Sequence, residues 1–143
     1  MKKLFAILLA LTMVLSLAAC GGSKDSDKGG SAPANSAVEK YVEENKSVLI
    51  SDMEQSFATS SGMTCKSSVK VVGNGFVITL KLDGVDGIDS SAKKQMQDAY
   101  DQMSSIFDMA LAEFQKDCPE IEYYQVDVCE EDGDKLATIR SGK

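Results

Sequence analysis

Two acidic runs hold the side chains best suited to bind a cation. Asp83, Asp86 and Asp89 line one Gly-rich stretch, and Glu130, Glu131, Asp132 and Asp134 line a second. Carboxylate oxygens are the hard ligands that Ca2+ takes, about six to eight at a time. Asp83, Asp86, Asp89, Asp132 and Asp134 are therefore the candidate metal ligands, with Ca2+ the candidate cofactor. Their spacing is not the alternate-position pattern of an EF-hand loop. Asp and Gly are also ordinary turn residues, so two plain acidic turns is the competing reading.

Cysteine is the other reactive residue. Cys65, Cys118 and Cys129 fall where the chain has the means to fold. Cys118 and Cys129 bound one extended segment, and at about 3.3 Å per residue they stand about 30 Å apart. A disulfide needs Cα atoms within about 7 Å, so that pair is excluded. A sheet with its first strand beside its third favours Cys65–Cys129; three reduced thiols, or Cys65 with Cys118, stay open. The chain has no His and no Trp. Ser-His-Asp and Cys-His catalysis are thereby excluded, and so is the commonest nitrogen ligand of zinc. A glycan hydrolase built on two carboxylates would need them about 5–10 Å apart in a cleft, and a small two-layer domain offers little cleft. No catalytic residue is assigned, and the chain is expected not to be an enzyme.

The chain opens with Met1-Lys2-Lys3 and an apolar run, Leu4 to Ala19, broken only by Thr12 and Ser16. A positive start, a short apolar core and small residues before a cut are the features of a secretory signal. The run is short of the ~20 residues of a spanning helix. Its close, Leu17-Ala18-Ala19-Cys20, resembles the lipobox of bacterial lipoproteins. The resemblance implies that Cys20 receives a diacylglycerol and becomes the mature N-terminus, tethering the protein to the outer face of the cytoplasmic membrane. Residues 1–19 are then the signal peptide, and residues 20–37 the lipidated Cys and a flexible linker. Gly, Ser, Asp and Lys with no large apolar residue make a coil, with a reach of ~20–25 Å. Residues 38–143 are the α+β extracytoplasmic domain, one domain's worth of chain.

That domain is acidic, with 11 Lys and Arg against 20 Asp and Glu from Val38 onward. Nucleic acid is a poor partner for such a surface. An anionic bilayer repels it, so net charge predicts a domain that stands off the membrane.

The elements that must position these residues follow from hydrophobic spacing. Val38, Tyr41, Val42, Asn45, Leu49, Met53 and Phe57 recur at helical intervals, predicting a helix from about Ser36 to Ala58. Ser36 is the expected N-cap, with Glu39 completing a capping box. Val69 to Val72 and Phe76 to Leu82 flank Gly73-Asn74-Gly75, which reads as a β-hairpin. Phe76, Ile78, Leu80 and Leu82 share its buried side; Val77, Thr79 and Lys81 share its wet side. A second stripe (Ala92, Met96, Ala99, Tyr100, Met103, Ile106, Phe107, Ala110, Leu111 and Phe114) predicts one helix from Ser91 to Lys116, about 40 Å long. Asp89 or Ser90 caps its start, and Cys118-Pro119 stops it. Met96, Met103 and Met109 read as core rather than as a pliable groove. Ile121 to Cys129 and Leu136 to Ile139 predict two further strands, with Tyr123 on the wet face.

The order α-β-β-α-β-β uses one helix-plus-hairpin unit twice. An isolated hairpin is marginal, so the two units should merge into a four-stranded antiparallel sheet with two helices on one face. Order 2-1-3-4 or 1-2-4-3 satisfies the strand directions. At Tyr41-Val42-Glu43-Glu44-Asn45 and Gly73-Asn74-Gly75-Phe76-Val77-Ile78-Thr79-Leu80 the chain is similar to a small Gram-positive lipoprotein domain of unknown function. That resemblance implies the architecture and no activity.

The functional expectation is a non-enzymatic binding or interaction module tethered to the lipid bilayer through Cys20, with a protein or cell-wall partner. A regulator or inhibitor subunit of a membrane or cell-wall partner is the alternative.

Overall fold

The computed structural model describes residues 33–143. The signal, Cys20 and most of the linker lie outside the described residues. The described chain is α+β, with three helices and one four-stranded mixed sheet. In chain order the elements are α1 (Ser36–Ser61), β1 (Cys65–Val72), β2 (Gly75–Leu82), α2 (Ser90–Asp101), α3 (Ser104–Asp117), β3 (Tyr123–Cys129) and β4 (Lys135–Gly142).

Helix α1 begins at Asn35 rather than at the expected cap, Ser36. The Asn35 side chain accepts the Ala37 N–H at 2.9 Å. Its own N–H donates to the Gly73 carbonyl at 2.8 Å, and its amide donates to Asn74 Oδ1 at 3.2 Å. An amide side chain carries both an acceptor for the helix and a donor for the hairpin turn. The helix ends at Gly62, whose φ of 69° needs a residue without a Cβ penalty.

The second helix is broken. Asp89 caps α2 by accepting the Ala92 N–H at 2.7 Å. The chain then leaves the helix at Gln102-Met103, where the Met103 N–H bonds the Tyr100 carbonyl. Neither Gly nor Pro marks the break. Strand length does not impose it, since α1 runs unbroken for 26 residues against the same sheet. Tyr100 and Phe107, one on each side of the break, are both almost fully buried in the core.

The sheet is not antiparallel throughout, and its order is β1-β2-β3-β4, neither expected order. β1 pairs with β2 and β3 with β4 antiparallel, but β2 and β3 run parallel, Gly75 beside Tyr123 and Lys81 beside Cys129. Parallel neighbours need a crossover of a dozen residues or more, and α2 with α3 supplies it. The physical reason is burial. The two most apolar strands, with Phe76, Ile78, Leu80 and Leu82 on one and Tyr124, Val126 and Val128 on the other, take the two central positions. These side chains form one core with Val38, Val42, Leu49, Met53 and Phe57 of α1, Met96 and Tyr100 of α2, and Phe107, Leu111 and Phe114 of α3. Rings of Phe76, Phe107, Phe114 and Tyr124 pack at centroid distances of 5.2–5.9 Å. Met96 belongs to this core, Met103 borders it, and Met109 is exposed.

Candidate functional site

The parallel pairing of β2 and β3 brings their C-terminal ends, and hence both acidic runs, to one end of the sheet. The start of α1 lies at the other end, against the Gly73-Asn74 turn. At the acidic end the centre is Glu130, which is buried. Its two oxygens accept the Gly87 N–H at 2.7 Å and the Ile88 N–H at 3.1 Å. The Lys93 ammonium sits 3.2 Å from Oε1. Glu131 accepts the Gly84 N–H at 3.0 Å and donates its own N–H to the Val85 carbonyl. The β3–β4 turn thus clasps the loop after β2.

Of the five candidate ligands, the structure brings Asp86 and Asp132 together, and adds Glu130: one oxygen of each lies within 4.8 Å of the others. Asp83 and Asp134 are not in this group, and Asp89 is the α2 cap. Asp132 also accepts the Asp134 N–H at 3.0 Å. Three carboxylates fall short of the six to eight or so oxygens of a calcium shell, and Glu130 is already engaged by two N–H groups and an ammonium. What this arrangement does on its own is hold two loops together. Glu130 was not among the five expected ligands; the signal for it was its place in the acidic run.

The expected Cys65–Cys129 disulfide is not formed, and Cys65, Cys118 and Cys129 are all free and buried. With β2 between β1 and β3, the two chains are about 9–10 Å apart. Cys65 pairs with Leu82 on the core side, while Cys129 pairs with Lys81 on the opposite side. Burial raises the pKa of each thiol, that of Cys65 to about 11. Thiols so shifted stay protonated at neutral pH and are poor nucleophiles.

The sheet face away from the core is the other place where functional groups gather. Row by row across the four strands it carries Lys66, Lys81, Cys129 and Lys135; then Ser68, Thr79, Asp127 and Thr138; then Lys70, Val77, Gln125 and Arg140; then Val72, Gly75, Tyr123 and Gly142. Lys66, Lys70, Lys81, Lys135 and Arg140 are exposed. Asp127 is buried among them, held by Lys135 Nζ at 3.0 Å, Thr138 Oγ1 at 2.8 Å and Gln125 Nε2 at 2.9 Å. Tyr123 is half-buried rather than free: its hydroxyl donates to the Val72 carbonyl at 2.8 Å, and the Arg140 guanidinium lies 3.8 Å from its ring centroid. The sequence signal for this face was strand alternation, which puts all of these residues but Lys135 on the same side; the register shift at Val128/Cys129 brings Lys135 to join them.

Among the described residues, no helix is long and apolar enough to cross a membrane. No family model, curated protein or solved structure matches the chain.

Proposed function

We propose that the protein is a membrane-tethered extracytoplasmic lipoprotein and a non-enzymatic binding module. Cys20 carries the lipid, residues 21–34 are the spacer, and the α+β domain, which begins at the Asn35 cap, carries the binding surface. In this reading the three helices layer one side of the sheet, and the other side is left open for a ligand. The observation that carries it is the contrast between the two sides. One is closed by aliphatic and aromatic side chains, the other presents exposed Lys and Arg with half-buried Thr, Gln and Tyr. Four strands with one wet face are a common antiparallel economy, but a face dominated by one sign of charge is a recognition feature.

Metabolic fatty-acid labelling in a lipoprotein-processing bacterium tests the anchor. The wild-type chain should incorporate label and fractionate with membranes, and Cys20→Ser should lose the label. An unlabelled wild-type chain would overturn the tethered reading.

A further inference from the structure

We propose that the open sheet face docks on an anionic phospholipid surface, bringing the domain down onto the bilayer that holds it. The inference rests on the tethered reading and adds what the binding face takes.

Charge is segregated in this fold. The four strands carry five cations (Lys66, Lys70, Lys81, Lys135 and Arg140) and one carboxylate, Asp127, which Lys135 neutralises at 3.0 Å. Every other Asp and Glu of the described residues lies on a helix or a loop. All five cations share the face turned from the core. Lys66 stands directly opposite Lys81, and Lys135 is next in the same row beyond Cys129. Like charges directly opposite on neighbouring strands oppose each other, and the fold itself gains nothing from the arrangement. An anionic surface laid against it would reverse that sign.

The dimensions suit a flat partner. At ~4.8 Å between strands the lysine row is about 14 Å wide, and the four residues from Lys66 to Lys70 add about 13 Å along the strand. The net charge of the domain argues against docking only to the extent that its carboxylates are felt at this face. The Debye length is about 8 Å at physiological salt, while one helix layer is about 10–12 Å thick. Carboxylates on the far side of the helices are therefore screened from a surface in contact with the sheet, whereas those of the β3–β4 turn, next to Lys81 and Lys135, are felt there and must be outweighed by the five cations. The tether starts beside the Gly73-Asn74 turn, at one end of this face, and a reach of ~20–25 Å lets the face lie flat. An intramolecular encounter of this kind needs little intrinsic affinity.

The test is amine labelling of the full chain in vesicles, read by mass spectrometry at each lysine. One set of vesicles is phosphatidylcholine, the other phosphatidylcholine with phosphatidylglycerol, and flotation reports the tether separately. With anionic vesicles, Lys66, Lys70, Lys81 and Lys135 should label about fivefold more slowly or less, while Lys40 and Lys94, 76% and 74% exposed on the helices, label as before. Protection should vanish in about 1 M salt, where the Debye length is about 3 Å. The Lys66→Gln/Lys81→Gln variant should melt no lower than wild type, yet lose protection at Lys70 and Lys135. A chain that floats with both vesicles and labels equally in both overturns the docking and leaves the tether standing. A chain that floats with neither overturns both. Equal protection by inorganic phosphate at matched concentration overturns the bilayer as the occupant.

Discussion

The side-chain amide of Gln97 closes the edge of the sheet at Thr138. Gln97 Oε1 accepts the Thr138 N–H at 2.9 Å, and Nε2 donates to the Thr138 carbonyl at 2.8 Å. A residue of α2 thus supplies both hydrogen bonds that a fifth strand would make. At the other edge Glu54 of α1 accepts the Ser67 N–H at 2.7 Å and the Ser67 hydroxyl at 3.0 Å. Unpaired strand edges invite pairing with a second chain, and here a helix side chain blocks each one. Gln97→Ala should cost ~1–2 kcal/mol, the usual cost of leaving part-buried polar groups unpaired. It should also raise light scattering on partial unfolding. Gln97→Glu should recover the bond to the N–H but not the one to the carbonyl, and fall between. Urea melts of the three proteins decide it; equal midpoints would remove the edge role.

Gly75 is required by the ring of Tyr123. A Cβ at position 75 would lie 2.6 Å from Tyr123 Cδ1 and Cε1 and closer still to the Tyr123 carbonyl. The ring is not free to retreat, because its hydroxyl is bonded to Val72 and Arg140 stacks on it. Gly75→Ala should therefore cost about 1–3 kcal/mol as an overpacked site. Adding Tyr123→Ala should relieve only part, since the carbonyl stays. Chemical denaturation of the single and double variants measures both effects.

Glu130 and Lys93 form a buried pair, with side chains 3% and 15% exposed. Removing one partner of such a pair strands the other, at about 3–5 kcal/mol. Glu130→Ala also leaves the Gly87 and Ile88 N–H groups without their acceptor. It should lower the melting temperature sharply and speed amide exchange at Gly87 and Ile88. Glu130→Gln should lose less than Glu130→Ala, since its one carbonyl oxygen can still accept an N–H. If Glu130→Ala exchanges as slowly as wild type at those amides, the clasp is not what orders the loop.

Alkali should destabilise the domain through protons it holds too tightly. Burial, with Glu54 and Asp83 nearby, raises the Cys65 thiol from 9.0 to about 11. Burial likewise raises Tyr100 and Tyr124 above 10.0, with Asp108 adding to Tyr124. Below about pH 9 these groups are protonated in both states and contribute no slope. From pH 9.0 to about 11 for Cys65, and above 10.0 for the tyrosines, the unfolded chain has released protons that the folded one still holds, so stability falls as pH rises. The urea midpoint should decline above about pH 9 and more steeply above about 10. Cys65→Ala should flatten the first part. Tyr100→Phe should flatten the second without cost at neutral pH, because the Tyr100 hydroxyl has no hydrogen-bond partner.

Much of the local structure was legible from residue spacing. The α1 stripe from Val38 to Phe57 and the alternation of Phe76 to Leu82 stand where periodicity put them, and of the two expected caps, Asp89 and Ser90, Asp89 is the one used. These depend on neighbours within a turn or a strand. The Gln102-Met103 break was not legible, because no Gly or Pro marks it and Met103 continues the apolar stripe across it. Nor could alternation reveal that Gln97 would meet Thr138, or that Asp127 would find Lys135 and Thr138.

By itself the sequence determined which side of each element is apolar, the acidic balance of the domain, and the absence of histidine that removes whole classes of catalysis. Tertiary structure alone decided the neighbours. Strand order is a choice among packings with the same local pattern, settled by placing the two most apolar strands at the centre. That choice set β2 between Cys65 and Cys129, excluding their disulfide. It gathered the acidic loops around Glu130 and turned five scattered cations into one face. Periodicity records burial one segment at a time, whereas charge clustering and thiol pairing are properties of segments far apart in sequence and adjacent only once the sheet has formed.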